Sequence, residues 1–401
     1  PLGKIVLNDL EKQLLKRKCS EMNAEDHQFL SDHTMNSFVL HHLLSNFPEL
    51  IDEKWKAAAY LIQKNEITKG YIGKIKQYII NNRLDIYFVK GYVSQKYYEN
   101  PSIRIHSDYD LVSANSEDAF RLTNYLLKNG FRIRPNLFSF KKINQKDKEV
   151  ISGHFHLQKI IDDTYMLELD ISFPGFLINR VDLYYPKLVN NEISLEDQIV
   201  ITLLHLFKHS NIYMKDINDI YYMLKEDSID LDYLSDMVSK YHLNEFFSLA
   251  VMYIYHNYDA DMAHLDRLIE YFKIQTNILD NYPDWPYDKA IHLMVKQKDF
   301  SDRVMTNPES DRNYLYPVVI FCDEFDFSSL EKGKAGNFKI TKVLNTIYEI
   351  SHENYVFYLT SIGIFINNYI DTAVLSRKGF IEVLSNFLDI IKIKEYFPIP
   401  Y

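Results

Sequence analysis

The sequence predicts an α+β protein: a small mixed sheet flanked by N-terminal helices and a large C-terminal helical region. Three observations point there. Only 11 of 401 residues are glycine, too few for the many tight turns of an all-β chain. Residues 84–180 alternate apolar and polar positions between turn signals, as half-buried strands do. On both sides of that stretch, apolar residues return to helical spacing. The hydrophobic share of 47% and charged share of 25% suit a globular chain with a substantial core.

The elements follow in order. Pro1-Leu2-Gly3 reads as a protease-cleavage scar and is left out of the fold. Residues 1–83 form the first region. Helical spacing runs over Val6–Lys18 and Ala24–Ser45. It continues through Ile51–Asn81 as one helix or two, with Ile62, Ile67, Ile72, Ile75, Ile79 and Ile80 on apolar positions.

Residues 84–180 form the core region, in the order β-α-β-α-β-β-β. Asp85–Val89 is a strand, Tyr92–Glu99 a helix stopped by Asn100-Pro101, and Ile103–Ser113 a strand. Ser116–Asn129 is an amphipathic helix capped by Ser116 and ended by Gly130. Phe131–Arg134 is a further strand. His154–Ile161 and Tyr165–Phe173 pair as a hairpin across Asp162-Asp163-Thr164, and Pro174-Gly175 closes the region.

Residues 181–401 form the last region, divisible into two subdomains. Ser194 opens a helix with Asp197 three residues on, a variant of the capping box. Asp216–Glu226, Asp232–Tyr241, Asn244–Tyr258 and Asp261–Lys273 read as helices, and Asn281–Tyr287 as a loop. Tyr316–Phe327 is a strand or an irregular segment. Ile340–Glu349, Asn354–Asn368 and Gly379–Lys394 read as helices.

The formal net charge is −10, which argues against a long nucleic acid as partner but allows a local basic pocket. The two cysteines, Cys19 and Cys322, belong to no metal or disulfide pattern, so a reducing cytoplasm is expected. No apolar run reaches the length of a membrane span; Val356–Ile370 comes nearest and is interrupted by Thr360, Ser361, Asn367 and Asn368.

The chemistry concentrates in Phe88–Val112, FVKGYVSQKYYENPSIRIHSDYDLV. Asp108 and Asp110 stand at i, i+2 on the expected strand and so point one way. Gly91 allows close backbone approach. A later strand carries Glu168 and Asp170, again at i, i+2. Carboxylates of this kind suit Mg²⁺, a hard cation. Phosphoryl transfer asks a protein mainly for positioning and charge neutralisation. An acidic i, i+2 pair by itself is common; the ordered set of Gly turn, arginine and two acidic strands is the specific signal.

The hydrophobic strand, Gly turn, helix, Asp-x-Asp strand and later acidic strand resemble the DNA polymerase β-type nucleotidyltransferase superfamily. More narrowly, VKG…Y…R…SDYDLV followed by a helix ending in NGF resembles a group of uncharacterised bacterial nucleotidyltransferases, over roughly residues 75–225. HLFKHS at 205–210 and KDINDIYYML at 215–224 resemble the helices that follow in that group. The resemblance implies a nucleotidyltransferase core at 84–180 using two Mg²⁺ ions, with Mn²⁺ as a substitute. Asp108 and Asp110 would hold both metals, and Glu168 would be the third catalytic carboxylate, with Asp170 an alternative metal ligand. Lys90, Gly91, Ser94, Arg104 and Lys215 would contact the triphosphate. The partners implied are an NTP, ATP among them, and a small-molecule, peptide or protein acceptor. Two positions depart from the group: Tyr92 follows Gly91 where a small residue is common, and Asp170 replaces a histidine.

Two other readings stand beside this one. Tyr92 favours a nucleotide-binding or partner-binding protein without catalysis. Asp-x-Asp also serves glycosyltransferases, though these carry a larger nucleotide-binding unit before the motif. His205 and His209, at i, i+4, lack a third metal ligand and are read as packing or cleft-facing residues. His154 and His156 are read as packing or hydrogen-bonding residues.

Overall fold

The computed structural model describes residues 9–26, 30, 35–145, 148–173, 176–177, 183–184, 186–189, 192–208, 214–258, 262–281, 314–321, 325, 327–330, 334–344, 347–352, 355–361, 363–367, 377–393 and 396–398. His209, Pro174-Gly175, Tyr282–Tyr287 and Cys322 lie outside the described residues. The chain divides into two compact, interleaved units. The first holds residues 1–73, 88–109 and 186–301; the second holds 74–87, 110–185 and 302–401.

Helices dominate the first unit. Its first described helices are α1 (Asp9–Glu21), α2 (Asn36–Asn46) and α3 (Lys56–Asn81), of which α3 continues past the division. Ile51–Asn81 thus resolves into one long helix preceded by 3₁₀ turns. Val39, Leu40 and Leu43 of α2 bury against Trp55 and Ala58.

The second unit carries a twelve-stranded sheet. Its strands are β1 (Ile86–Val89), β2 (Tyr109–Ser113), β3 (Arg132–Gln145), β4 (Lys148–Ile161), β5 (Tyr165–Phe173), β6 (Tyr314–Phe321), β7 (Lys334–Ala335), β8 (Phe338–Leu344), β9 (Ile347–His352), β10 (Tyr355–Thr360), β11 (Gly363–Asn367) and β12 (Tyr396–Pro398). The order is β1-β2-β5-β4-β3-β6-β11-β10-β9-β8-β7, with β12 also pairing β6. The division between units falls within β1 and at the start of β2.

Helix α4 (Ser116–Lys128) starts from Asn115, whose Oδ1 accepts from the Asp118 amide at 2.8 Å; the cap is one residue earlier than expected. Gly130 ends it at φ +82, a backbone only glycine adopts cheaply. Phe120 of α4 packs on Phe155 and Phe173 of the sheet. The β4–β5 hairpin turns through Asp162, Asp163 and Thr164 between the paired Ile161 and Tyr165, with both aspartates at positive φ.

The expected helices Ile340–Glu349 and Asn354–Asn368 are corrected to strands β8 to β11, within the described residues. The burial period there is two. Tyr348 and Ile350 are buried around a half-exposed Glu349, and Phe357 and Leu359 around a half-exposed Tyr358. β-branched residues such as Thr341, Val343, Ile347, Ile350 and Val356 also favour the pleated backbone. The third expected helix is present as α10 (Arg377–Ile390), whose Leu384, Phe387 and Leu388 join the core over these strands. Among the described residues, the C-terminal region thus carries helices between Leu195 and Tyr271, strands from Tyr314 to Asn367, and then α10.

The helices of that stretch belong to the first unit: α5 (Leu195–Lys208), α6 (Met214–Leu224), α7 (Leu231–Lys240), α8 (Asn244–Asn257) and α9 (Met262–Tyr271). At the start of α5 the Asp197 amide donates to Ser194 Oγ, as a cap does, while the Ser194 hydroxyl donates to Asp197 Oδ2 and the Ser194 amide to the Lys187 carbonyl. Tyr221, Tyr222 and Tyr253 are buried packing residues. No described helix is long and apolar enough to cross a membrane.

Candidate functional site

Strand β1 ends at Lys90, whose φ of 55° and ψ of −139° lie where a side chain is strained. Its amide donates to Gln198 Oε1 of α5 at 3.2 Å. One helical turn, Gly91–Ser94, follows. Gly91 is needed for packing: an added Cβ would lie 2.7 Å from Arg104 Cζ and 3.1 Å from its Nη1. The glycine expected to admit a triphosphate thus admits a guanidinium.

Arg104, expected to meet phosphate, is 4% exposed. Its Nε and Nη2 donate to the two carboxylate oxygens of Asp219 at 2.8 and 2.7 Å. Nη1 donates to the Ile105 carbonyl at 2.7 Å, and Asp216 Oδ1 lies 3.8 Å from Nη2. A bidentate buried pair of this kind spends the guanidinium's donors inside the protein. Tyr98 also donates to Asp219 Oδ1, at 2.7 Å. Ser94, also expected near the triphosphate, is fully buried and donates to the Lys90 carbonyl at 3.0 Å, which braces the turn.

Residues 104–108 are not in a strand, so Asp108 stands on the threshold of β2 while Asp110 lies within it. The reason is where the backbone groups go. Asn65 of α3 accepts from the His106 amide at 3.1 Å and donates to the His106 carbonyl at 3.0 Å. Lys64 takes the Ser107 carbonyl. Side chains of α3 therefore replace the strand ladder here. Tyr92 packs among Phe88, His106 and Tyr109, on the wall of a cavity of about 130 Å³. His106 is neutral: burial lowers its pKa well below the usual value, and Arg104 and Lys215 add to this.

Asp108 accepts a hydrogen bond from the Ser107 hydroxyl at 2.8 Å. Burial pushes its pKa up, but Lys215, that hydroxyl, Lys90 and His205 outweigh it and hold it ionised, below the usual range. Lys90, Asp108, Lys215 and His205 therefore share one electrostatic neighbourhood. Asp216, next to Lys215, is also held well below the usual range, because His205, Lys215 and Arg104 overcome its burial. For Asp219 the balance reverses: burial outweighs Arg104 and the pKa rises.

In the second unit, Asp110 is half-buried on β2, and β5 lies next to β2 in the sheet. Glu168 and Asp170 share the half-exposed face of β5, between buried Leu167, Leu169 and Ile171. His156 of β4 stands between them. Its Nδ1 pairs closely with Asp170, its Nε2 lies 3.4 Å from Glu168, and His154 Nε2 lies 3.7 Å from Asp170. Hydrogen bonds to Asp170 and Glu168 raise the His156 pKa to about 9, so it is an imidazolium at neutral pH.

The donor chemistry of these acids fits a hard divalent cation: they supply carboxylate oxygens, and Asp108 is kept charged. Among the described residues, no three His, Cys, Asp or Glu side chains are gathered as a metal cage.

The family profile described as uncharacterised nucleotidyltransferase matches residues 27–259. The chain belongs to this family. No curated protein matches the chain. Family membership gives the chain a general role in nucleotidyl transfer, and the match spans the turn, both acidic strands and helices α5 to α8. Asp216, Asp219, Asn65 and Gln198 had no part in the sequence expectation. A signal existed for two of them: in MKDINDIYYML every residue except Lys215 is buried, and acids at core positions of a helix need charged partners.

Proposed function

We propose that the chain is a divalent-metal-dependent nucleotidyltransferase that moves an NMP from an NTP to a small-molecule, peptide or protein acceptor and releases pyrophosphate. The observation that carries this reading is Asp108, kept ionised by Lys215 and Lys90 at the start of the strand that bears Asp110. In this reading Asp108 and Asp110 hold the cation, with Glu168 or Asp170 as the third carboxylate. Bound Mg²⁺ or Mn²⁺ would neutralise triphosphate charge and polarise the α-phosphorus. Lys90 and Lys215 supply positive charge to the phosphates; Gly91, Ser94 and Arg104 build the turn that presents Lys90. The acidic chain favours a compact acceptor over a long polynucleotide. A cytoplasmic setting suits the NTP substrate.

The test is labelled NTPs with Mg²⁺, using wild type, Asp108→Asn and Asp110→Asn. NMP transfer or pyrophosphate release should fall by about 100-fold or more in both variants. Equal activity in all three proteins would sink the assignment.

His156 favours a second reading, a nucleotide-binding protein without catalysis, because an imidazolium between Glu168 and Asp170 competes with a cation. NTP binding by calorimetry, with His156→Ala giving no turnover, would favour it.

A further inference from the structure

The cavity beside Tyr92 has no role in the proposal above. It holds about 130 Å³, and every described residue that lines it belongs to the first unit. One wall is aromatic. The Tyr92, His106 and Tyr109 rings pack on one another, with centroids 5.3 to 5.9 Å apart. Buried Ile72 of α3 adds an aliphatic surface. The polar groups among these walls are tied to the protein. Asn65 donates to the Leu61 and His106 carbonyls and accepts from the His106 amide. Gln95 donates to the Tyr92 carbonyl at 2.9 Å and pairs through Oε1 with His106 Nε2 at 3.1 Å. The Tyr109 hydroxyl pairs with Thr68 Oγ1 at 2.9 Å, and Arg104 is held by Asp219 and the Ile105 carbonyl. The outer lining differs: Glu66, Lys69 and Ser102 are exposed, and Glu66 and Lys69 form an ion pair.

We infer that this cavity is a binding site for a small uncharged molecule of the phenol class, one aromatic ring with one hydroxyl. Its size sets the ring count. A protein cavity of roughly 150 Å³ takes one benzene ring, whereas drug-sized ligands need about 300 Å³ or more. Its walls set the chemistry. An aromatic ring gains from edge and face contacts with other rings and asks for no hydrogen bond. A charged group would lose its water there and meet wall groups already bonded to one another. The exposed Glu66, Lys69 and Ser102 keep one polar substituent within reach of water and of a hydrogen-bond partner. Tyr92, which departs from the small residue common at that turn, supplies part of the aromatic wall. His106 and Tyr109 flank Ser107 and Asp108 along the chain, so a bound ring rests on the segment that carries that acid. The site stands by itself and does not depend on nucleotidyl transfer.

The test is a phenol titration of the full chain, followed by methyl NMR. The Ile72 δ1-methyl signal, assigned by its loss in Ile72→Val, should shift saturably with a Kd of about 1 mM, as burial of one ring gives. The signal of Ile201 in α5, away from the cavity lining, should stay in place. Cyclohexanol, similar in size but without a π face, should bind about fivefold more weakly or worse. Tyr92→Leu should weaken phenol binding about 3- to 10-fold, while Tyr109→Phe, which keeps the ring, should leave it within about twofold. The two wild-type titrations judge the proposal whether or not a variant folds. No saturable Ile72 shift up to about 20 mM phenol, an equal shift at Ile201, or equal affinity for cyclohexanol would each overturn it.

Discussion

Gly91→Ala separates packing from phosphate approach. The new Cβ would sit 2.7 Å from Arg104 Cζ, about 0.7 Å short of ordinary van der Waals contact. The guanidinium has little room to withdraw, since three hydrogen bonds of 2.7 to 2.8 Å fix it and the side chain is 4% exposed. Overpacking of this kind costs about 1–3 kcal/mol. Loosening a charge-assisted hydrogen bond adds roughly 1.5–3 kcal/mol. A loss of about 2–4 kcal/mol is expected, since the strain is shared between the two. The assay is urea denaturation, with hydrogen exchange of residues 98–105 and 214–224 as the local probe. In an Arg104→Lys background the slim ammonium leaves space, and the Gly91→Ala cost should shrink by about 1 kcal/mol or more. Full stability of Gly91→Ala together with lost NTP binding would refute the packing argument and return the glycine to the triphosphate.

Asp219→Ala should cost about 3–5 kcal/mol, because it leaves a buried guanidinium without its bidentate partner. Denaturation midpoints equal to wild type would contradict that. Lys90→Gly removes a strained backbone at φ 55° and should stabilise the fold by about 1 kcal/mol while weakening NTP binding; melting and calorimetry read the two effects separately. His156 has a folded pKa of about 9 against an ordinary 6.5, so its stabilisation is complete below pH 6.5 and is lost as pH rises through 9. That slope should vanish in His156→Gln, and Mg²⁺ affinity of the wild type should rise over the same window as the competing charge disappears. A flat stability profile in the wild type would refute it.

Much of the fold around the candidate site was legible because local physics sets it. The Gly130 stop, the Ser194–Asp197 cap, the Asp162-Asp163 turn and the alternation of β5 depend on neighbours a few residues away. The Arg104–Asp219 pairing was not legible, because the partner lies 115 positions later and no local pattern shows it. The strands after residue 338 were misread because short apolar runs fit helix and strand alike, and the partner strands decide between them.

From its residues alone, the chain set out its local signals: the turn at Gly91 and the acidic pairs at 108/110 and 168/170. Tertiary structure decided what Arg104 and Gly91 pack against. Two acids on α6 hold Arg104, and the guanidinium packs where a Cβ on residue 91 would sit. The physical reason is burial: a guanidinium out of water needs carboxylates at hydrogen-bond distance, and the α6 pair meets that need before any ligand arrives.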